Sequence, residues 1–343
     1  MSSQDLSRYV RQTIFPELGE TGQRKLLEST VVLLGCGATG TVIANHLVRS
    51  GIGRLRIIDR DFIELNNLQR QLLFDEQDIA MRLPKAEAAR RKLAAVNSDI
   101  EIEGIVADVN PDNVVSLLSD ATLVMDGCDN FETRFLINDA CVKAGIPWIY
   151  TGVIAAYGMS MTIRPGETAC LRCLMVDMPP PGAAPTCDTA GVLGPSVAVV
   201  ASISAGEALK LLAGFGQLND GLLNFDLLDN SLDQFSVLRR SDCPTCGEGS
   251  FEYLDAEHGS RTVTLCGRNA VQISITGNSG LDLEGVARRL RAAGIEKLSV
   301  NPYLLHATLD GLEVTLFPDA RAIVKGTDDE RVARTVYARY VGL

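Results

Sequence analysis

The chain has 343 residues, of which 46% are hydrophobic, so it can bury a full core and form two or three domains. Its formal net charge of -11 argues against a nucleic-acid partner, because phosphate neutralisation needs clustered Lys and Arg. Residues 1–9 are polar, and we find no apolar run near the roughly 20 residues that a membrane span requires. Composition therefore predicts a cytoplasmic globular protein without a membrane partner.

Strands and helices are predicted to alternate over the first 150 residues, after a helical segment that ends near residue 28. Strands are predicted at residues 31–34, 55–58, 100–106, 121–125 and 147–151. Helices are predicted at residues 42–49, 86–96, 112–118 and 131–144. This alternation predicts an α/β fold with a doubly wound, mainly parallel Rossmann-like sheet.

A different pattern follows. Residues 159–164 alternate like a strand, and the proline-rich residues 178–185 predict a mobile loop. Residues 194–213 form an apolar, alanine-rich predicted helix, and residues 222–227 and 234–238 a hairpin.

The last part of the chain predicts a small α+β unit. Its strands are predicted at residues 262–264, 271–275, 304–309, 312–317 and 322–324, and its helices at residues 283–293 and 328–340. We therefore expect a nucleotide-binding domain at residues 1–248, a linker at 249–258 and an accessory domain at 259–343.

A glycine-rich loop lies between the first predicted strand and its helix. Gly35, Gly37 and Gly40 match G-x-G-x-x-G, and Asp59 ends the second predicted strand about 20 residues later. A carboxylate at that place can accept hydrogen bonds from ribose hydroxyls. The pattern is typical of nucleotide binding and leaves the nucleotide open, although Asp59 could instead cap the next turn.

Four of the nine cysteines form two C-x-x-C pairs. They are Cys170, Cys173, Cys243 and Cys246. Each pair can supply two thiolates to one tetrahedral zinc ion, and four thiolates would make a closed, structural site. The pairs are roughly 70 residues apart, so the fold must bring them together. Two separate reduced knuckles or a redox pair are the alternatives.

These features belong to a longer ordered set of motifs. The set comprises Arg8-Tyr9-x-Arg11-Gln12, the glycine loop, Asp59-x-Asp61, Asn67-Leu68-Gln69-Arg70-Gln71, Pro84-Lys85, Asp126-x-x-Asp129-Asn130, the two C-x-x-C pairs and Thr186-Cys187-x-x-Ala190-Gly191-Val192. Over roughly residues 4–248 it resembles the ubiquitin-activating-enzyme-like adenylyltransferases of the ThiF/MoeB/HesA type.

The resemblance implies a parallel sheet that binds ATP and Mg²⁺, usually in a homodimer. Its implied partner is a ubiquitin-like sulfur-carrier protein whose Gly-Gly tail lies across the nucleotide. The tail carboxylate attacks the α-phosphorus of ATP and gives an acyl adenylate and pyrophosphate. Nucleotidyl transfer mainly demands positioning and cations near the developing charge. The pathway could be thiamin, molybdopterin or related sulfur transfer.

The resemblance also implies residue roles. Asp59 holds the ribose, and Arg70 and Lys85 contact the phosphates. Asn67 and Gln71 help to place the nucleotide.

Three further roles follow from the same resemblance. Asp129 ligates Mg²⁺, for which carboxylate oxygen is the expected ligand, although it could instead cap the following helix. Arg11 reaches the phosphates of the nucleotide that is bound in the neighbouring subunit, or else it is a solvated cation. Cys187 forms a covalent sulfur or thioester link with the carrier, or else is an inert loop thiol. No rhodanese-like segment is found, so persulfide sulfur would come from a separate protein.

One departure from the family pattern concerns Arg82 and Leu83, where a glycine usually precedes the lysine. Two other functions are compatible with part of these motifs. An NAD-dependent dehydrogenase would explain the glycine loop and Asp59 but lacks a suitable catalytic histidine. A non-catalytic zinc scaffold that binds a ubiquitin-like protein would not need Arg70 and Lys85.

Overall fold

The computed structural model describes residues 6–179, 187–255, 261–265, 269–274 and 280–341. The chain divides into two compact units, Met1–Ala256 and Glu257–Leu343. Each unit has its own hydrophobic core.

The first unit is built on an eight-stranded sheet in the order β3-β2-β1-β4-β5-β6-β7-β8. Its strands are β1 (Thr30–Leu34), β2 (Arg54–Ile58), β3 (Glu101–Ile105), β4 (Leu123–Asp126), β5 (Trp148–Ile154), β6 (Tyr157–Ile163), β7 (Leu222–Asp226) and β8 (Ser231–Phe235). The strands β1 to β5 pair in parallel, and β6 to β8 continue the sheet in antiparallel fashion. The predicted mainly parallel, doubly wound sheet is confirmed.

Helices connect these strands. They are α1 (Val10–Thr13), α2 (Gly19–Leu27), α3 (Ala38–Ser50), α4 (Glu76–Ala80), α5 (Lys85–Val96), α6 (Val114–Leu117), α7 (Phe131–Ala144), α8 (Leu171–Leu174), α9 (Cys187–Ala190) and α10 (Gly194–Ala213). The single helix predicted before residue 28 is in fact broken. Pro16 has no backbone N–H to donate, and Gly19 adopts a left-handed φ of 59° between α1 and α2.

Helix α10 packs against α3, β5 and β6. It is long and apolar enough, by length and composition, to cross a membrane, and half of its apolar window is buried inside the protein. The expectation that no apolar run approaches the roughly 20 residues of a membrane span is therefore wrong for Gly194–Ala213. Buried polar side chains attach the helix to the sheet, since Ser204 Oγ lies 2.9 Å from Ser160 Oγ and Glu207 Oε2 accepts from Thr162 Oγ1 at 3.0 Å. These contacts are typical of a helix in a globular core.

The second unit is an antiparallel sheet in the order β11-β12-β13-β14-β10-β9, with two helices. Its elements are β9 (Arg261–Leu265), β10 (Ala270–Ser274), α11 (Leu283–Ala292), β11 (Leu298–Val300), β12 (Leu305–Leu309), β13 (Leu312–Leu316), β14 (Ala322–Lys325) and α12 (Glu330–Tyr340). Both helices contribute apolar side chains to the same core as the strands. The predicted small α+β unit is confirmed, with β11 as an additional strand.

Candidate nucleotide site and cysteine cluster

The backbones of three glycines, Gly35, Gly40 and Gly127, come into close contact where β1 ends, and we call this contact the glycine crossing. Gly35 adopts a φ of 89°, and a Cβ added to Gly40 would lie 2.1 Å from the carbonyl oxygen of Gly35. A Cβ added to Gly127 would lie 2.2 Å from that same oxygen. Only glycine fits at these positions, and Gly127 was missed in the sequence because it lies some 90 residues after the loop.

This crossing lies in the crevice between β1 and β4, where the order of the strands reverses. Ligands of open parallel sheets bind in such crevices, outside the carboxyl ends of the strands. We call this region, where β1, β2 and β4 end, the carboxyl edge. Gly37 lies at the start of α3, whose first N–H groups are suited to phosphate oxygens.

Asp59 follows β2 at the carboxyl edge. One carboxylate oxygen accepts from Cys36 N at 2.6 Å, and the other accepts from Asp61 N at 2.7 Å. Burial raises the pKa of Asp59, while the nearby Lys85 ammonium opposes that rise. Asp59 therefore joins the glycine loop to the next turn, and each of its oxygens retains acceptor capacity for a ribose hydroxyl.

Lys85 begins α5 and is almost fully buried. Its ammonium lies 3.2 Å from the Asp61 carboxylate, and its backbone N–H donates to the Asp61 carbonyl at 2.9 Å. At the departure from the family pattern, Arg82 adopts a left-handed φ of 50°. The turn before Lys85 thus keeps a glycine-like conformation without glycine, which costs of the order of 1 kcal/mol.

The segment with Asn67, Arg70 and Gln71 lies beside the glycine loop. Asn67 is buried and accepts from Glu64 N at 3.0 Å, and Arg70 Nη1 donates to a backbone carbonyl at 2.8 Å. The Gln71 amide nitrogen would lie 3.8 Å from a Cβ on Gly37, and its buried Oε1 has no hydrogen-bond partner among the described residues. Gln71 therefore places its amide nitrogen, a hydrogen-bond donor, beside the glycine loop, where phosphate oxygens are expected.

At the end of β4, Asp126 and Asp129 differ in environment. Asp126 is fully buried and accepts from Arg134 Nε at 2.9 Å and Cys128 N at 2.8 Å. Asp129 is exposed, and the residue that caps α7 is Asn130, whose side chain accepts from a backbone N–H at 2.9 Å. Of the two carboxylates, Asp129 is the one exposed to solvent.

Arg60 is a second residue that the sequence analysis missed. Its Nη1 donates to Asp108 Oδ1 at 2.9 Å. Burial alone would lower the pKa of Arg60, but the carboxylates of Asp108, Asp61 and Asp129 raise it. Local sequence patterns could not predict that Asp108, Asp61 and Asp129 surround Arg60, because these acids follow three different strands.

The other two predicted residues, Arg11 and Cys187, make no contact with this group in the part of the chain that the structure describes. Arg11 is exposed on α1, and within the part of the chain that the structure describes it has no hydrogen bond or ion pair. Cys187 starts α9, but its side chain lies outside the described residues. The proline-rich segment is described only up to residue 179.

The four cysteines of the C-x-x-C pairs come together, and we call them the cysteine cluster. Their sulfur atoms all lie within 4.8 Å of one another, with Cys170 to Cys243 at 3.6 Å and Cys173 to Cys246 at 3.4 Å. Tetrahedral zinc with Zn–S bonds of about 2.3 Å needs sulfur atoms about 3.8 Å apart. Burial raises the pKa of Cys173 to about 11, so a bound cation would be needed to hold its thiolate at neutral pH. The geometry fits a zinc ion.

A glycine crossing at the reversal point of the sheet, with cations and carboxylates around it, defines an α/β protein of the nucleotide-binding class, and its four-thiol cluster has the ligands for a metal ion. The chain belongs to the ThiF family, whose sequence profile matches residues 9–245. The resemblance seen in the motifs is thereby confirmed.

Individual relatives agree. The chain is 43% identical over 337 residues to the sulfur carrier protein ThiS adenylyltransferase of Bacillus subtilis, covering 98% of this chain and 99% of that relative. It is 36% identical to the Escherichia coli protein of the same description, covering 72% of this chain and 97% of that one. The crystal structure of E. coli MccB with ATP is similar with a TM-score of 0.62 and 25% identity, covering 72% and 75% of the two chains.

Proposed function

We propose that this protein adenylates the C-terminal carboxylate of a small ubiquitin-like sulfur-carrier protein. The observation that carries this function is the 43% identity, over nearly both full lengths, to a sulfur carrier protein ThiS adenylyltransferase. The glycine crossing, Asp59 and buried Lys85 at one edge of the sheet support ATP as the nucleotide. The descriptions of the relatives as adenylyltransferases favour adenylyl transfer over hydride transfer and over a non-catalytic scaffold.

In the proposed reaction, a carboxylate oxygen of the carrier's Gly-Gly tail bonds to the α-phosphorus of ATP. The bond from that phosphorus to the bridging oxygen breaks, and pyrophosphate leaves with the electron pair. Negative charge therefore grows on the phosphate oxygens, where Lys85 and Arg70 would stabilise it. The N–H groups at the start of α3 would bind phosphate, and Asp59 would hold the ribose.

The metals have separate proposed roles. Asp129 would hold Mg²⁺, which neutralises phosphate charge when bound. The cysteine cluster would hold Zn²⁺ in a closed, non-catalytic site. Arg11 would act on the site of a second subunit, since exposed apolar side chains at Val10, Ile14 and Phe15 surround it and favour a homodimer.

We further propose a role for Cys187 and a class of carrier protein. After adenylation, the Cys187 thiolate would attack the acyl carbon of the carrier adenylate, which forms a thioester and releases AMP. A separate protein would supply the persulfide sulfur. The carrier would be identified as a Gly-Gly-ended protein of a thiamin, molybdopterin or related sulfur-transfer system. Replacing Cys187 by serine should then stop sulfur transfer and leave adenylation intact, which mass spectrometry of the carrier would separate.

The test of the main reaction is exchange of labelled pyrophosphate into ATP. Exchange should require a carrier with an intact Gly-Gly end, and the same carrier without its last glycine is the matched control. Replacing Lys85 by methionine should lower exchange by about 100-fold or more, because a phosphate-binding cation is lost. Replacing the more exposed Lys92 should have little effect. If no Gly-Gly-ended carrier encoded near this protein supports exchange, the proposed reaction is wrong.

A further inference from the structure

Helix α7 supports the carboxyl edge of the sheet through its first turns. Asn130 caps the helix immediately after Asp129. Arg134 then donates to the Asp126 carboxylate at 2.9 Å and to the Cys128 carbonyl at 2.7 Å. The loop that carries the proposed magnesium ligand is therefore attached at both ends to α7.

One turn further along, two consecutive residues of α7 reach the cysteine cluster. Asn138 Oδ1 accepts from the backbone N–H of Leu171, inside the first C-x-x-C pair, at 2.9 Å. Asp139 Oδ1 accepts from the hydroxyl of Thr245, inside the second pair, at 2.9 Å. The two halves of the cluster, far apart in sequence, are thus held by neighbouring residues of one helix.

Both contacts are sealed from solvent. Asn138 and Asp139 have no exposed surface, and Asp139 also accepts from Tyr253 N at 2.9 Å. Water cannot replace these partners without entering the core, so each broken contact would leave a buried polar group unpaired. The positions of the two cysteine pairs therefore follow the position of α7.

The distance along the helix is short. Arg134 and Asn138 are four residues apart, which is about 6 Å of helix rise. A continuous, buried helix of this length moves as one piece. A shift of α7 that breaks its contacts with the carboxyl edge would therefore also disturb its contacts with the cysteine cluster.

We propose that Asn138 and Asp139 are positioning residues through which α7 joins the cysteine cluster to the carboxyl edge, so that metal retention and nucleotide binding strengthen each other. The inference rests on the proposed function for the identities of the zinc ion and of ATP. Because coupling between two ligands is reciprocal, it predicts the same factor in both directions.

The experiment measures release of zinc from the full-length, zinc-loaded protein to a chromogenic chelator, with Mg²⁺ alone and with Mg²⁺ and saturating ATP. ATP should slow the release by about fivefold or more, the usual lower range of coupling between sites. ATP should also raise the affinity for zinc, which competition with the chelator at equilibrium measures, and metal-free protein should bind ATP more weakly by that same factor. The Lys85→Met variant, which loses a proposed phosphate contact, corrects for zinc that ATP removes directly.

The variants Asp139→Asn and Asn138→Leu should release zinc faster and reduce the effect of ATP on that release. Lys143→Ala is the matched control, because Lys143 lies exposed on the same helix and pairs only with Asp255 at 3.2 Å among the ion pairs of the described residues. A purely stabilising role of Asn138 and Asp139 would change release equally with and without ATP.

Equal rates of zinc release with and without ATP, in wild-type protein shown to bind ATP, would overturn the inference even if both variants fail to fold. Failure of the proposed function looks different. In that case the purified protein holds no zinc, or the binding measurement itself detects no ATP.

Discussion

Asp59 is oriented before any ligand arrives. Its two carboxylate oxygens already accept from the backbone N–H groups of Cys36 and Asp61. A side chain held in this way loses little conformational entropy on binding, which favours tight and specific contacts. Its burial has a second consequence, for the pH dependence of binding.

We expect nucleotide affinity to fall on acidification at a higher pH than an ordinary aspartate would produce. Burial raises the pKa of Asp59 above its usual 3.8, and the protonated acid is a weaker acceptor for ribose hydroxyls. Calorimetric titration with AMP from neutral to acidic pH should show this loss in the wild type. Asp59→Asn should bind AMP more weakly at neutral pH and lack that loss, and parallel pH profiles would contradict the prediction.

The same raised pKa has a defined sign for stability. The unfolded chain releases the Asp59 proton at lower pH than the folded protein does. The contribution of Asp59 to stability is therefore largest below the unfolded pKa, and it decreases as pH rises from there through the raised folded pKa. At neutral pH Asp59 is kept for its function at some cost in stability.

Gly127 provides a test of the backbone crossing. Gly127→Ala would place a Cβ 2.2 Å from the Gly35 carbonyl oxygen, so the glycine loop must shift and nucleotide binding should be lost. Gly206→Ala is the control, because a Cβ there has nothing within 4 Å and alanine favours a helix interior by about 1 kcal/mol. Binding of a fluorescent ATP analogue measures both. Unchanged binding in Gly127→Ala would show that the crossing is not required.

Local patterns in the sequence predicted the residues that follow their own strand, such as Asp59 and the first glycines. They could not predict Gly127 or Arg60, whose surroundings come from other strands. A side chain on Gly127 would clash with the carbonyl oxygen of Gly35, and Arg60 pairs with Asp108, which follows β3. Contacts of this kind depend on strand order, which one sequence does not specify.

At the scale of elements, long periodic segments were predicted well and their ends less well. Helix α7 runs over Phe131–Ala144 as expected, whereas the helix predicted at residues 112–118 shortens to Val114–Leu117. The predicted fifth strand extends to Ile154, because β5 pairs along its full length with the antiparallel β6. The pairing partner, rather than propensity, sets the end of β5.

Helix α10 depends on one buried acid. Glu207 accepts from Thr162 Oγ1 at 3.0 Å and from Asn219 N at 2.9 Å, and it also pairs with Lys210. Glu207→Ala should lower the free energy of unfolding by about 2 to 3 kcal/mol, because buried donors lose their acceptor.

Urea denaturation followed by the fluorescence of Trp148, the single tryptophan of the chain, measures this loss in the first unit. Lys210→Ala, which removes the more exposed partner, should cost less than about 1 kcal/mol. Equal losses in the two variants would show that the ion pair, and not the contacts to the sheet, holds α10.

For the whole molecule, the second unit should not be needed for the proposed adenylation. The family profile ends at residue 245, and the E. coli relative covers only 72% of this chain while being matched over 97% of its own length. A chain ending at Ala256 should therefore retain carrier-dependent pyrophosphate exchange close to the full-length level. Loss of exchange, with the Trp148 unfolding transition unchanged, would show that the second unit contributes to the reaction.

The cysteine cluster also orders events during synthesis. The ribosome releases the first pair well before the second, since Cys170 and Cys243 are 73 positions apart. Between them lie α10, β7 and β8, so the four thiols can meet only after these three elements have been synthesised. Capture of a metal ion by all four cysteines would therefore mark the moment at which the first unit is complete, and a metal-starved cell would accumulate chains with this last closure missing.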